Sequence, residues 1–205
     1  MKATGIVLAG GSSRRMGQDK AMIELGGRTL LQQAAESVSK VCEELVIAAA
    51  DHPAQNLPNL SPIWVRDAPG AAGPLAGLAA GFSVASHPIA VVVACDMPFL
   101  NDRLLRHLLS SVVDCDAAVP IAGGRAQHLH AAYSSECLPT VQALLRLGAS
   151  SMRDLLSRLR VKYIAESRCL ELDPGGLSTF NMNTADDFRF AIDQLARRQR
   201  RVAAA

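Results

Sequence analysis

"VLAGGSSRRMGQDKA", Val7 to Ala21, follows directly on an apolar run and carries Gly10, Gly11, Ser12, Ser13, Arg14, Arg15, Gly17 and Lys20. A short strand opening into such a loop suits a phosphate group. Glycines let the backbone approach a ligand and aim amides at it. Arginine and lysine bring fixed charge to an oligophosphate. Two phosphate-loop patterns fail on spacing. GxxxxGK[ST] fails because Gln18 follows Gly17 and Ala21 follows Lys20. GxGxxG fails from Gly10, where Ser12 and Arg15 hold the later glycine places, and from Gly11, where Ser13 and Met16 do. A nicotinamide-dependent oxidoreductase is therefore disfavoured. The other reading is a plain strand-to-helix turn with exposed basic residues. Against it stand three cations and two hydroxyls between Gly10 and Lys20. In open α/β sheets the carboxyl ends of the strands are where ligands bind.

Outward from the loop, β-rich runs alternate with helical patterns. "GIVLA" (5–9), "ELVIAAA" (44–50), "PIWVRD" (62–67), "IAVVVACD" (89–96), "DAAVPIA" (116–122) and "HLHAAYS" (128–134) read as strands. The 89–96 run is apolar on both faces, as a central parallel strand requires. Helices are predicted over 28–41, over 73–85 behind Gly73-Pro74, over 101–112 with Asn101 as N-cap, over 136–147 and over 150–160. The last helix begins at Thr184, where Thr184 and Asp187 resemble a capping box with Asp in place of Glu. Alternation of this kind implies an α/β fold, a three-layer Rossmann-like arrangement with a mostly parallel central sheet. One domain is expected over residues 1–200, with a disordered tail at 201–205. "RRQRRVAAA" at the end reads either as a basic patch for nucleic acid or as a solvated helix end whose charge suits the macrodipole, and the second is favoured.

Composition narrows the class. The 205 residues are 49% apolar and 20% charged, enough for a buried core and unlike a disordered chain. Twenty-one Lys and Arg against 19 Asp and Glu give no general pull towards nucleic acid or anionic membrane. The five cysteines form no CxxC pair, so neither a disulfide framework nor a zinc site is indicated, and a reducing cytoplasm is the expected compartment. The apolar run before Gly10 is too short for an export signal, and no stretch of about 20 apolar residues is present to span a membrane.

Four stretches in order, "LAGGSSRRMGQDKA" (8–21), "RDAPGAAGPLAGL" (66–78), "CDMPFL" (95–100) and "FNMNTADD" (180–187), resemble the signature segments of the molybdenum cofactor guanylyltransferases. That resemblance covers most of the chain. It implies a Mg²⁺-dependent nucleotidyltransferase that moves GMP from GTP to the terminal phosphate of molybdopterin and releases pyrophosphate. It also implies transient contacts with cofactor-loading proteins or target molybdoenzymes. Such a reaction needs no general base, because the acceptor phosphate is already anionic. It asks for charge neutralisation and in-line placement.

Candidate residues follow. Asp96 ends the most apolar strand, and the resemblance assigns it to Mg²⁺, which favours one or two carboxylates plus phosphate oxygens. The other reading is an acid that only caps a turn. Arg15 and Lys20 would stabilise the leaving phosphates. Gly11 and Ser12 would line the nucleotide, and the resemblance places Asp67 against it. "GPLAGL" either directs amides at the nucleotide or merely packs tightly. Several family members carry Asn where this chain has Ala48. Base reading is therefore expected from backbone groups of Leu8, Ala9 and Gly10 and from the "GPLAGL" turn. The resemblance turns Asn183, with Asn181 beside it, towards the metal or the acceptor phosphate, and sets Arg153 in "GASSMRDLL" (148–156) on the acceptor side; the other readings are plain turn chemistry for the asparagines and an exposed helical arginine. His128 and His130, on one strand face, are taken as wall residues near the acceptor, since no third ligand stands at a diagnostic spacing. The alternatives are a cytidylyltransferase, a sugar-nucleotide pyrophosphorylase and a nucleotide-binding module without turnover. Gly10 and Asp19 favour the guanylyl branch over the first, and the short chain argues against the second. Arg15, Lys20 and Asp96 together argue against the third.

Overall fold

The structure, a computed structural model of the chain, describes residues 2–10, 19–49, 56–67 and 73–203. Strand β1 (Thr4–Leu8) leads to a single 3₁₀ turn at Lys20–Met22 and then to a two-stranded hairpin, β2 (Glu24–Leu25) and β3 (Arg28–Thr29). Gly26 and Gly27 join its strands at φ 64° and 78°, the pair of positive values a type I′ turn demands. Helix α1 (Leu30–Ser39) therefore starts two residues later than its periodicity suggested, with Thr29 Oγ1 accepting the Gln32 amide. There follow β4 (Glu44–Ala48), β5 (Ile63–Val65), α2 (Pro74–Val84), β6 (Ile89–Ala94) and α3 (Asp102–Ser111), the last capped by Asn101 as expected. The second half runs β7 (Ala117–Ala122), β8 (Arg125–Ala126), β9 (His130–Ser134), α4 (Leu138–Arg146), α5 (Met152–Leu156), β10 (Val161–Ile164), α6 (Glu166–Leu172) and α7 (Ala185–Ala203).

The main sheet has the order β10-β7-β9-β6-β1-β4-β5, with β8 paired to β7. All strands of that path run one way except β9, which is antiparallel to both β6 and β7. The mostly parallel sheet is thus borne out, with one reversed strand inside that path. Successive residues of β1 go to opposite faces, as strand geometry requires. Ile6 and Leu8 join α2, α4 and α5, whereas Val7 joins α1, α3 and α6. Three layers result. A smaller apolar cluster, Ile23, Leu25, Leu30, Phe99, Met182 and Ala191, seats the hairpin and α7 at the sheet's edge.

Some sequence expectations are corrected. The 150–160 helix stops at Leu156, and β10 and α6 follow where none was foreseen. His128 precedes β9, so it does not share a strand face with His130. Helix α7 runs from Ala185 to Ala203. Among the described residues no helix is long and apolar enough to cross a membrane.

Close approach of α1 to β1 fixes one position tightly. A Cβ on Gly5 would stand 1.9 Å from Val38 Cγ1, on a fully buried, stiff side chain. Gly5→Ala is expected to cost about 1–3 kcal/mol of stability through overpacking. Adding Val38→Ala should recover part of that loss rather than add to it. Urea unfolding of the three variants measures the coupling, and simple additivity would refute the contact.

Candidate active site

Cys95 N–H donates to the Leu8 carbonyl at 3.1 Å, carrying the β6–β1 pairing one step past the ladder. Asp96 is thereby set at the carboxyl edge, beside the end of β1. Lys20 reaches the same place from its 3₁₀ turn. Asp19 Oδ1 caps that turn by accepting the Ala21 amide at 3.0 Å, and buried Ala21 anchors it in the core. Lys20 Nζ donates to Asp96 Oδ2 at 3.0 Å and to Asn183 Oδ1 at 2.5 Å. The side chains of Lys20 and Asp96 are only 18% and 14% exposed, so water weakens this ion pair less than a surface one.

Asn183 arrives from the far end of the chain. Met182 N–H donates to the Asp96 carbonyl at 2.9 Å, and the Met182 side chain is buried in the edge cluster. Next to it the expected capping box forms. Thr184 Oγ1 accepts the Asp187 amide, while Asp187 Oδ2 accepts the amides of Asn183 and Thr184. Burial raises the Asp187 carboxyl. The Asn183 amide, the two Thr184 groups and the charge of Lys20 outweigh that and hold it below its ordinary value. Asn181 does not join Asn183. Its side-chain amide donates to the Thr179 carbonyl within its own segment.

The oxygen set bears on metal binding. Among the described residues no donor reaches Asp96 Oδ1, although the atom is buried. An anionic oxygen of this kind beside the neutral oxygen of Asn183 is hard, as Mg²⁺ prefers. No group of three or more His, Cys, Asp or Glu gathers among the described residues.

The remaining expected residues divide. Arg15, Gly11 and Ser12 lie outside the described residues. Leu8, Asp67 and Ala48 converge on Gly77. A Cβ there would meet Leu8 Cδ2 at 2.9 Å, Ala48 Cβ at 3.7 Å and Asp67 Oδ1 at 3.8 Å. Gly77 therefore serves tight helix–sheet packing, and Asp67 stands over the first half of α2 at the same sheet edge. The Leu8 carbonyl accepts Cys95 N–H and Ala9 N–H donates to the Ala48 carbonyl, so the sheet takes up both groups. Arg153 is exposed on α5, and its charge helps lower His128, after partial burial and against a bond with the Ala126 backbone.

His130 was missed as part of a network. It is buried and bonded to Ser178, which sequence patterns did not single out. A cleft of about 340 Å³ opens near it between α6, α7 and the β7–β8 turn, walled by Leu170, Phe180 and Phe190. None of Lys20, Asp96 and Asn183 lines it, so it is separate from the ionic cluster.

A mostly parallel sheet with lysine, aspartate and asparagine gathered at its carboxyl edge defines an α/β nucleotidyltransferase. More narrowly, residues 5–163 match the MobA-like NTP transferase domain, and the chain belongs to that family. It is 35% identical over 187 residues to a probable molybdenum cofactor guanylyltransferase of Pelotomaculum thermopropionicum, covering 91% of this chain and 90% of that one. It is 34% identical to a molybdenum cofactor guanylyltransferase of Desulfosudis oleivorans, covering 92% and 93%. Among solved structures, molybdopterin-guanine dinucleotide biosynthesis protein A of Archaeoglobus fulgidus superposes with a TM-score of 0.80 at 26% identity, over 95% of this chain and 99% of that one.

Burial pushes His130 down to about 4, although its own backbone and the charge of Asp173 pull it up. An unfolded histidine titrates near 6.5. Between those values the unfolded chain binds more protons, so stability should fall as pH falls from about 6.5 to 4, by on the order of 3 kcal/mol for this ring. His130→Gln should flatten the urea midpoint across that window. An equal slope in both proteins would show that the ring does not titrate as its burial requires.

Proposed function

We propose that the protein is a Mg²⁺-dependent molybdenum cofactor guanylyltransferase, acting in the cytoplasm on GTP and molybdopterin. The observation that carries this reading is the Lys20 ammonium held between Asp96 and Asn183, three residues from distant parts of the chain, in a member of this family. The named relatives support the choice of substrates.

In the proposed reaction an oxygen of the molybdopterin phosphate attacks the α-phosphorus of GTP. The new P–O bond forms as the bond to the β-phosphate oxygen breaks, and pyrophosphate leaves with the electron pair. Lys20 offsets negative charge on the departing phosphates, and Arg15 is assigned the same work. Asp96 and Asn183 would hold Mg²⁺, which when bound would neutralise phosphate charge. Leu8, Ala9, Gly10, Gly11, Ser12 and Asp67 are assigned to the nucleotide. Asn183 also faces the acceptor, and Asn181 and Arg153 are kept as acceptor-side contacts at the rim. Proteins that load or receive the cofactor are the expected transient partners.

Incubation of the protein with molybdopterin, Mg²⁺ and each nucleoside triphosphate tests the assignment. GTP should give the dinucleotide product with the highest kcat/KM. Ala48 offers no polar side chain to the base, which is the one observation favouring a second reading. A CTP value equal to or above that for GTP would move the protein to the cytidylyl branch.

Substitution separates the roles. Removing a preorganised charge contact typically costs about 2.7–4 kcal/mol in the transition state. Lys20→Ala and Asp96→Ala should therefore lower kcat by about 10²–10³-fold while the fold survives. Asn183→Ala should reduce turnover more than GTP affinity. Steady-state kinetics with calorimetric GTP binding decide this, and near-normal turnover of Asp96→Ala at limiting Mg²⁺ would overturn the metal role.

A further inference from the structure

β9 carries a histidine that the proposed phosphate chemistry does not use. His130 has no solvent exposure, and its Nε2 lies 2.6 Å from Ser178 Oγ. The same oxygen accepts the backbone N–H of Asn101 at 2.9 Å. Asp173, also buried, closes the cluster. Its Oδ2 accepts the Ser178 amide at 2.8 Å and its Oδ1 accepts Asn101 Nδ2 at 3.3 Å.

Proton counting sets the direction of the His130 bond. A hydroxyl has one proton to give. With Asn101 N–H already donating to Ser178 Oγ, and no other acceptor for the hydroxyl among the described residues, the proton goes to His130 Nε2. That assigns a neutral ring protonated at Nδ1.

Three segments meet at Ser178: β9, the 96–101 loop that begins with Asp96, and the 173–183 segment that ends with Asn183. The two loops are joined by three hydrogen bonds, one of them the Asn101 Nδ2–Asp173 Oδ1 contact. Met182 N–H bonds the Asp96 carbonyl at one end, and Ser178 Oγ receives Asn101 N–H at the other. His130 orients the hydroxyl of the Ser178 joint.

We infer that His130 is a positioning residue for the transferase, acting through Ser178 to keep the Asp96 loop and the Asn183 segment in register. The inference rests on the reading of Asp96 and Asn183 as the catalytic pair. Transfer that depends on placement is sensitive to it, and a displacement of about 1 Å can cost about 10²-fold in rate. Without its acceptor, the Ser178 hydroxyl would be left buried and unpaired, and a buried polar network is weakened beyond a single bond when one member is lost.

The test compares His130→Leu with His130→Gln. Leucine fills space and accepts nothing, whereas the glutamine amide oxygen accepts from about the place of Nε2. His130→Leu should lower kcat for GTP-dependent transfer at least about tenfold with the KM for GTP changed less than about threefold, and His130→Gln should restore most of the rate. Amide hydrogen exchange at Asn101, Ser178 and Met182 should quicken in the leucine variant and stay slow in the glutamine one. Should the leucine variant fail to fold, Ser178→Ala removes the same bond from its other end and should show the same loss of kcat. A leucine variant with wild-type kcat, or equal losses in both His130 variants, overturns the inference. If the wild-type protein transfers no nucleotide, the proposed function fails, while the exchange comparison still decides whether His130 joins the two loops. Unchanged exchange in the leucine variant overturns the joint itself.

Discussion

The pairing of β1 with β4 on one side and β6 on the other constrains everything else. Leu8 lies opposite Ala48 in one ladder and Ala94 in the other, so the three strands end at one level. Both faces of this ribbon are covered. Val7, Ile47 and Val93 have no exposure on one face, and Ile6, Val46 and Val92 have none on the other. A polar side chain inside it would lose water without gaining a partner, at a cost of about 1–3 kcal/mol or more. Polar chemistry is thereby displaced to the carboxyl edge. There Asp96 becomes the first carboxylate after β6, and the glycine-rich stretch begins as β1 ends.

Concentrating charge at that edge raises a second problem, which is how to hold it still. Lys20 sits on one short turn capped by Asp19, and Asp96 and Asn183 sit on loops. The structure answers with backbone joints rather than bulk. Met182 N–H is tied to the Asp96 carbonyl, Asn101 N–H to Ser178, and the Asn183 and Thr184 amides to Asp187. Each joint uses a group left unpaired where a strand or helix ends. Helix termini thus serve two ends here, completing their own hydrogen bonds and fixing the site.

The sheet edge around Gly77 is built differently. Leu8, Ala48 and Gly77 pack so closely that a Cβ on Gly77 would press on Leu8. Asp67, two residues past the end of β5, stands against the same glycine. An apolar, close-packed floor of this sort gives shape but few hydrogen-bonding side chains.

By itself the sequence determined the layered α/β class, six of the strands, the caps at Asn101 and Thr184, and the family, because each is a local pattern. Apolar runs of strand length, turn residues and a short motif are all written within a few neighbouring positions. It also singled out Lys20, Asp96 and Asn183 as separate candidates. Local pattern misled where two structures compete for one stretch. The Gly26-Gly27 turn claims Arg28 and Thr29 for a hairpin before the helix begins, and the 150–160 periodicity gives way to β10. Only the tertiary structure decided that β9 runs backwards, that Lys20 and Asn183 touch although 163 positions separate them, and that the Asn181 side chain bonds within its own segment. It also decided that buried His130, Ser178 and Asp173 form one hydrogen-bonded cluster with half-buried Asn101. Hydrogen bonds between residues distant in the chain depend on how the layers stack, and no window of neighbouring residues contains that information.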